Sequence, residues 1–125
     1  MKIKVIVPVT TNYYDTIVKD DFEKIVRPDT KIDVSSLKRG AFRIESIYDE
    51  AFSIPFALEE LKNAEEEGYD AAIIFCATDP GLVAAKELLT IPVVGLLESS
   101  MHLAAMLDDK FSILAPTDMV ALCYR

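Results

Sequence analysis

The sequence predicts an α/β fold, a three-layer sandwich around a parallel, flavodoxin-like sheet. Three observations carry this. The strand-like segment Lys2–Val9 alternates at first and then becomes continuously apolar, and Ala71–Phe75 and Ile91–Leu96 are apolar throughout, as strands covered on both faces are. Segments with helical spacing of apolar residues lie between them. The two kinds of element alternate strictly along the chain, which calls for parallel strands joined by helical crossovers.

In order, Lys2 to Val9 reads as a first strand ending at Pro8, and Thr10-Thr11-Asn12 as a polar loop. Thr11 or Asn12 can cap a helix from about Tyr13 to Val26, stopped by Pro28. Lys31 to Ser35 is a short second strand, and the segment up to Ile44 a loop containing Gly40. Glu45 to Glu67 is the clearest helix. Its apolar face runs through Ile47, Ala51, Ile54, Leu58 and Leu61, Pro55 bends or interrupts it, and Gly68 fits the position just past its end. Ala71 to Phe75 is the third strand. Asp79 then caps a helix with Pro80 at its first position. A fourth strand at Ile91–Leu96 leads to a helix with Met101, Leu103, Ala104 and Leu107 on its apolar face. Lys110 to Leu114 is expected as a fifth strand, with a helix starting at Met119.

At 125 residues the chain suits one small core, since a chain of this size buries roughly two thirds of its unfolded surface. No apolar run approaches the ~20 residues of a membrane span. The chain enters strand-like sequence at Ile3, so no signal peptide is expected and a cytoplasmic location is. A net charge of −8 excludes nucleic acid and acidic membrane surfaces as partners, but not a small anion held by local N–H groups. Two cysteines and one histidine are too few for a zinc site, so no metal is expected.

Chemistry centres on Cys76, in Phe75-Cys76-Ala77-Thr78-Asp79-Pro80-Gly81. A thiol at the carboxyl end of a buried strand faces the ligand crevice of an open α/β sheet. A helix N-terminus following it would lower the thiol pKa and furnish a base. Equally, a free cysteine there can be a small buried hydrophobe. Thr78 and Gly81, with the Ala77 backbone between Cys76 and Thr78, offer hydroxyl and N–H groups to an anionic or imide oxygen. Thr10 and Thr11 can do so from the facing loop, if the first and third strands are neighbours. His102 and Glu98 read as ordinary helix residues, and Cys123 as helix packing.

The chain resembles the aspartate/glutamate racemase superfamily, most closely its hydantoin racemase branch. The matching pieces are Ile3 to Thr11, Ile44-Glu45-Ser46-x-Tyr48-Asp49-Glu50-Ala51, Glu67-Gly68-Tyr69-Asp70-Ala71, Cys76-x-x-Asp79-Pro80-Gly81-Leu82 and Ile91-Pro92-Val93-Val94-Gly95-x-x-Glu98, followed by Met101-His102-Leu103-Ala104 and Phe111-Ser112-Ile113-Leu114. The resemblance implies two pseudo-symmetric lobes with one cysteine each, and no pyridoxal phosphate, metal or other cofactor. One thiolate removes a proton from the carbon alpha to a carbonyl, and the opposite thiol returns one to the other face. Cys76 matches the first-lobe cysteine. On this pattern residues 1–109 form the first lobe, and residues 110–125 the first strand and helix start of an incomplete second lobe. Where the family commonly has Asn-Pro-Asn-Thr, this chain has Val7-Pro8-Val9-Thr10, without those two amide side chains.

The expected function is therefore a cofactor-independent racemase or epimerase acting on a hydantoin or an acidic amino acid. Two alternatives stand beside it: a non-catalytic truncated lobe or assembly module, and a single-cysteine isomerase or decarboxylase of dicarboxylic acids. A lobe that exposes apolar edges also predicts a homo-oligomer.

Overall fold

The computed structural model describes residues 1–115 and 117–123. It contains β1 (Lys2–Val7), a single 3-10 turn (Asn12–Tyr14), α1 (Asp15–Ile25), β2 (Lys31–Ser36), α2 (Ile47–Glu66), β3 (Ala71–Ile74), α3 (Leu82–Leu88), β4 (Val93–Gly95), α4 (Leu96–Leu107) and α5 (Asp118–Cys123). The four strands form one parallel sheet in the order β2-β1-β3-β4. In register, Val5 pairs with Val34 on one side and Ile73 on the other, and Ile73 pairs with Val94.

Alternation along the strands divides the core between the two faces. Ile6, Ala72, Ile74 and Val93 pack with Ala57 and Leu61 of α2 and with Leu82, Ala85 and Leu89. Val5 and Ile32 pack with Val18 of α1, with Phe22, Ile73 and Phe75 against them. The expected α/β/α sandwich is thus present, with an outward step from β1 to β2 and a return over α2 to β3 on the other side of β1.

Helix ends follow local chemistry. Ser46 caps α2: its hydroxyl accepts from Asp49 N (3.1 Å) and donates to Asp49 Oδ2 (2.7 Å). At the other end Gly68 has φ 77°, Gly68 N donates to Glu65 O (3.0 Å), and Tyr69 N donates to Ala64 O (3.1 Å). This pair of bonds is the glycine-terminated stop expected there. Pro55 lies within an unbroken helix, so it does not interrupt α2.

Three expectations are corrected. The fully buried stripe of α2 is Ser53, Ala57, Leu61 and Ala64, while Ile47 and Ala51 are exposed and Ile54 and Leu58 flank it. Three of the four buried positions hold small residues, Ser53, Ala57 and Ala64, and Leu61 is the one large side chain among them. α4 buries none of its residues, and Leu103 and Leu107 face solvent. Lys110 to Leu114 is exposed and joins no strand. Its apolar alternation suits a strand, but a strand exists only where another donates and accepts its backbone bonds. No helix of the described residues is long and apolar enough to cross a membrane.

Candidate active site

Because β1 and β3 are neighbours that continue in opposite directions across the sheet, their carboxyl ends form the point where strand order reverses, the usual ligand crevice of such sheets. A cleft of about 530 Å³ opens there, lined from one side by Val7, Pro8 and Val9, from the other by Phe75, Cys76 and Ala77, and closed by Tyr14, Arg43, Ile44 and Glu45.

The walls are held by backbone bonds. Phe75 N donates to Ile6 O (2.8 Å), carrying the β1–β3 ladder up to the residue before Cys76. On the facing wall Leu37 N donates to Val9 O (2.8 Å) and Thr10 N to Ala41 O (2.9 Å). Ala41 N in turn donates to the hydroxyl of Ser53, which is fully buried on α2. The loop carrying Arg43 is therefore tied both to the end of β1 and to the core helix.

Cys76 is a partly buried free thiol with Sγ 3.6 Å from the Thr78 hydroxyl. Burial pushes its pKa up, the nearby Glu50 and Asp79 carboxylates add to the rise, and the hydrogen bonds from Thr78 only partly oppose it. The expectation of a lowered pKa is thus reversed. The physical reason is burial: desolvation of the sulfur is the largest contribution and decides the sign. Between Cys76 and α3, which starts at Leu82 after Gly81 with φ 75°, lies a turn closed by Asp79 N to Cys76 O (3.3 Å).

Asp79 is also not the cap of α3. Its carboxylate accepts from the first amides of α4, with Oδ1 3.0 Å from Leu97 N and Oδ2 2.7 Å from Glu98 N. The expected cap of the helix after Pro80 is thus corrected: the Asp79 carboxylate serves the amino end of α4.

Among the residues expected to bind substrate, Ala77 lines the cleft beside Cys76, and Thr78 contacts the thiol. Thr10, Thr11 and Gly81 do not line the cleft. The Thr10 hydroxyl donates to Ala41 O (3.4 Å), the Thr11 hydroxyl caps the 3-10 turn by accepting from Tyr13 N (3.4 Å), and Gly81 packs against Ile54. Sequence reasoning missed Tyr14 and Arg43. Arg43 pairs with Glu45 (3.5 Å) with both side chains mostly in water, so the cleft holds a cation with its counter-ion beside it, in a pair of little net energy that an anion can displace. A loop with three basic residues, Lys38, Arg39 and Arg43, in an acidic chain was the available signal. Among the described residues no group of three or more His, Cys, Asp or Glu is placed to hold a metal ion. The Cys123 side chain lies outside the described residues, so its expected packing role has no counterpart here.

An open parallel α/β sheet with a thiol beside a cleft at its switch point is the class of protein the structure defines. The match to known proteins narrows it: residues 3–124 fit the Asp/Glu/Hydantoin racemase family, and the chain belongs to that family. Hydantoin racemase of Pseudomonas sp. (strain NS671) is 50% identical over 113 residues, covering 90% of this chain and 45% of that protein. Hydantoin racemase of Paenarthrobacter aurescens is 37% identical over 116 residues, covering 92% and 49%. The solved allantoin racemase from Klebsiella pneumoniae superposes with a TM-score of 0.80 at 34% identity, covering 85% of this chain and 43% of that one. Allantoin racemase from Pseudomonas fluorescens shares the fold, with a TM-score of 0.88 at 23% identity over 98% of this chain and 52% of that one. The chain spans about half the length of the curated relatives it matches.

Proposed function

We propose that this chain supplies one wall and one acid/base thiol, Cys76, of a cofactor-independent racemase acting on a hydantoin-type ring. The observation that carries this is the placement of Cys76 at the carboxyl end of β3, on a cleft where strand order reverses. The identity to two hydantoin racemases supports the ring as substrate over an acidic amino acid.

The chemistry follows from the thiol's setting. Burial keeps Cys76 protonated at neutral pH, so its resting form is the acid that delivers a proton to a planar, enolate-like carbon. Run in reverse, the Cys76 thiolate takes the hydrogen from the carbon alpha to the carbonyl, and the electron pair moves into that carbonyl as the enolate. A raised pKa makes this thiolate the stronger base once formed. Inversion needs a second donor on the opposite face, and an enolate oxygen or imide anion is matched in charge by Arg43. Val7, Val9, Ile44 and Phe75 offer apolar surface to the ring substituent. The apolar residues that α4 and the following segment leave in water, Leu103, Met106, Leu107 and Leu114, support association with a second copy of the chain; a sedimenting monomer at micromolar concentration would count against that part.

Exchange in D2O tests the main reading. A single acid/base thiol suffices to replace the ring C5 hydrogen with deuterium, whether or not inversion follows. Proton NMR of an L-5-substituted hydantoin should show loss of the C5–H signal with the protein and little loss with L-aspartate. Absence of exchange with the hydantoin refutes the proposal.

A further inference from the structure

We propose that Asp79 is the positioning residue for Cys76, a latch that pins the Cys76–Gly81 turn to the start of α4 and that requires glycine at position 95. Three observations meet here. Asp79 has φ 50°, the one non-glycine residue with positive φ among the described residues, and aspartate is among the few side chains that tolerate it. Its two carboxylate oxygens accept from Leu97 N (3.0 Å) and Glu98 N (2.7 Å), so a residue three positions after the thiol is bonded to the amides that open the helix after the next strand. Gly95 has φ −103°, open to any residue, yet a Cβ there would overlap the Asp79 carboxyl group. Glycine is required at 95 by space alone, and the space is taken by the latch.

The consequence reaches the thiol through the backbone. Asp79 N donates to Cys76 O (3.3 Å), Asp79 O accepts from Leu82 N (3.1 Å), and Pro80 next to it is fully buried. With both its backbone and its carboxylate engaged, Asp79 has no freedom to swing, and the Thr78 hydroxyl stays 3.6 Å from Sγ. The latch fixes where Cys76 stands rather than touching substrate.

The test reads Cys76 directly and needs no turnover, so its failure is separable from failure of the proposed racemase chemistry. The rate of iodoacetamide alkylation at Cys76 is followed against pH, with peptide mapping to separate it from Cys123. The limiting rate at high pH reports access to the thiolate, and the midpoint reports electrostatics. Asp79→Gly keeps the backbone conformation and loses the latch, so its limiting rate should rise about threefold or more. Asp79→Asn keeps an acceptor oxygen and the positive φ but loses the charge. Its midpoint should fall while its limiting rate stays closer to wild type than that of Asp79→Gly. Gly95→Ala should raise the limiting rate as Asp79→Gly does, by displacing the carboxylate, and should add nothing in the Asp79→Gly background. A limiting rate in Asp79→Gly below that threshold, or an equal effect of Gly95→Ala in both backgrounds, overturns the proposal.

Discussion

Replacing Ser53 with alanine tests how the cleft wall is held to the core. The Ser53 hydroxyl is fully buried and accepts from Ala41 N at 3.1 Å. Alanine leaves that N–H without its acceptor in a place where Ala41 is itself buried, a cost of about 1–3 kcal/mol. Alanine is the better helix former by about 0.5 kcal/mol, which offsets part of the loss. The net expectation is a destabilisation of about 0.5–2.5 kcal/mol, or a fall in Tm of about 2–10 °C for a domain of this size. Urea denaturation measures the first, and amide exchange at Ala41 locates it, because protection there should drop further than at core amides such as Ile74. The same Ala41 carbonyl accepts from Thr10 N, so loosening should spread to the end of β1. An unchanged or raised stability, or an Ala41 amide as protected as before, would refute the view that one buried hydroxyl clamps the Arg43 loop to α2.

Leu61→Ala, at a fully buried position facing β1 and β3, should cost about 2–5 kcal/mol in urea denaturation, and a loss under about 1 kcal/mol would mean the core relaxes around it. The Tyr69 phenol, pushed up to about 12 by burial and by its bond to Asp33, stays neutral in the fold while the unfolded phenol ionises near pH 10. Its share of stability is therefore intact below about pH 10 and is lost as pH climbs towards about 12, a slope that Tyr69→Phe should remove from a Tm-against-pH curve. Burial holds the Cys76 thiol up, so its alkylation should keep accelerating beyond about pH 8.5, where a free cysteine is half ionised; a plateau at lower pH would contradict the burial argument.

Much of this architecture was legible because the determinants are local. Apolar runs announced β3, β4 and the end of β1, Ser46 and Gly68 bracket α2, and the alternation of strands with helices called for a parallel sheet. The position of Cys76 followed from the strand end alone. The misses share a cause, since each depends on a partner far along the chain. Asp79 sits where a cap belongs, but the amides it serves are those of Leu97 and Glu98. The Cys76 pKa turns on how deeply the whole fold buries the sulfur, which no neighbouring residue announces. Ser53 faces the core because Ala41 needs an acceptor, against the rule that apolar residues mark the buried stripe. Lys110–Leu114 has the pattern of a strand and no strand beside it in the described fold.

Deuterium exchange at C5 of an L-5-substituted hydantoin, compared between the protein and its Cys76→Ala variant, tests the role of the thiol most directly. Loss of an acid/base group should slow exchange by about a hundredfold or more, with circular dichroism unchanged. Exchange that survives the substitution at the wild-type rate would remove Cys76 from the chemistry and contradict the account.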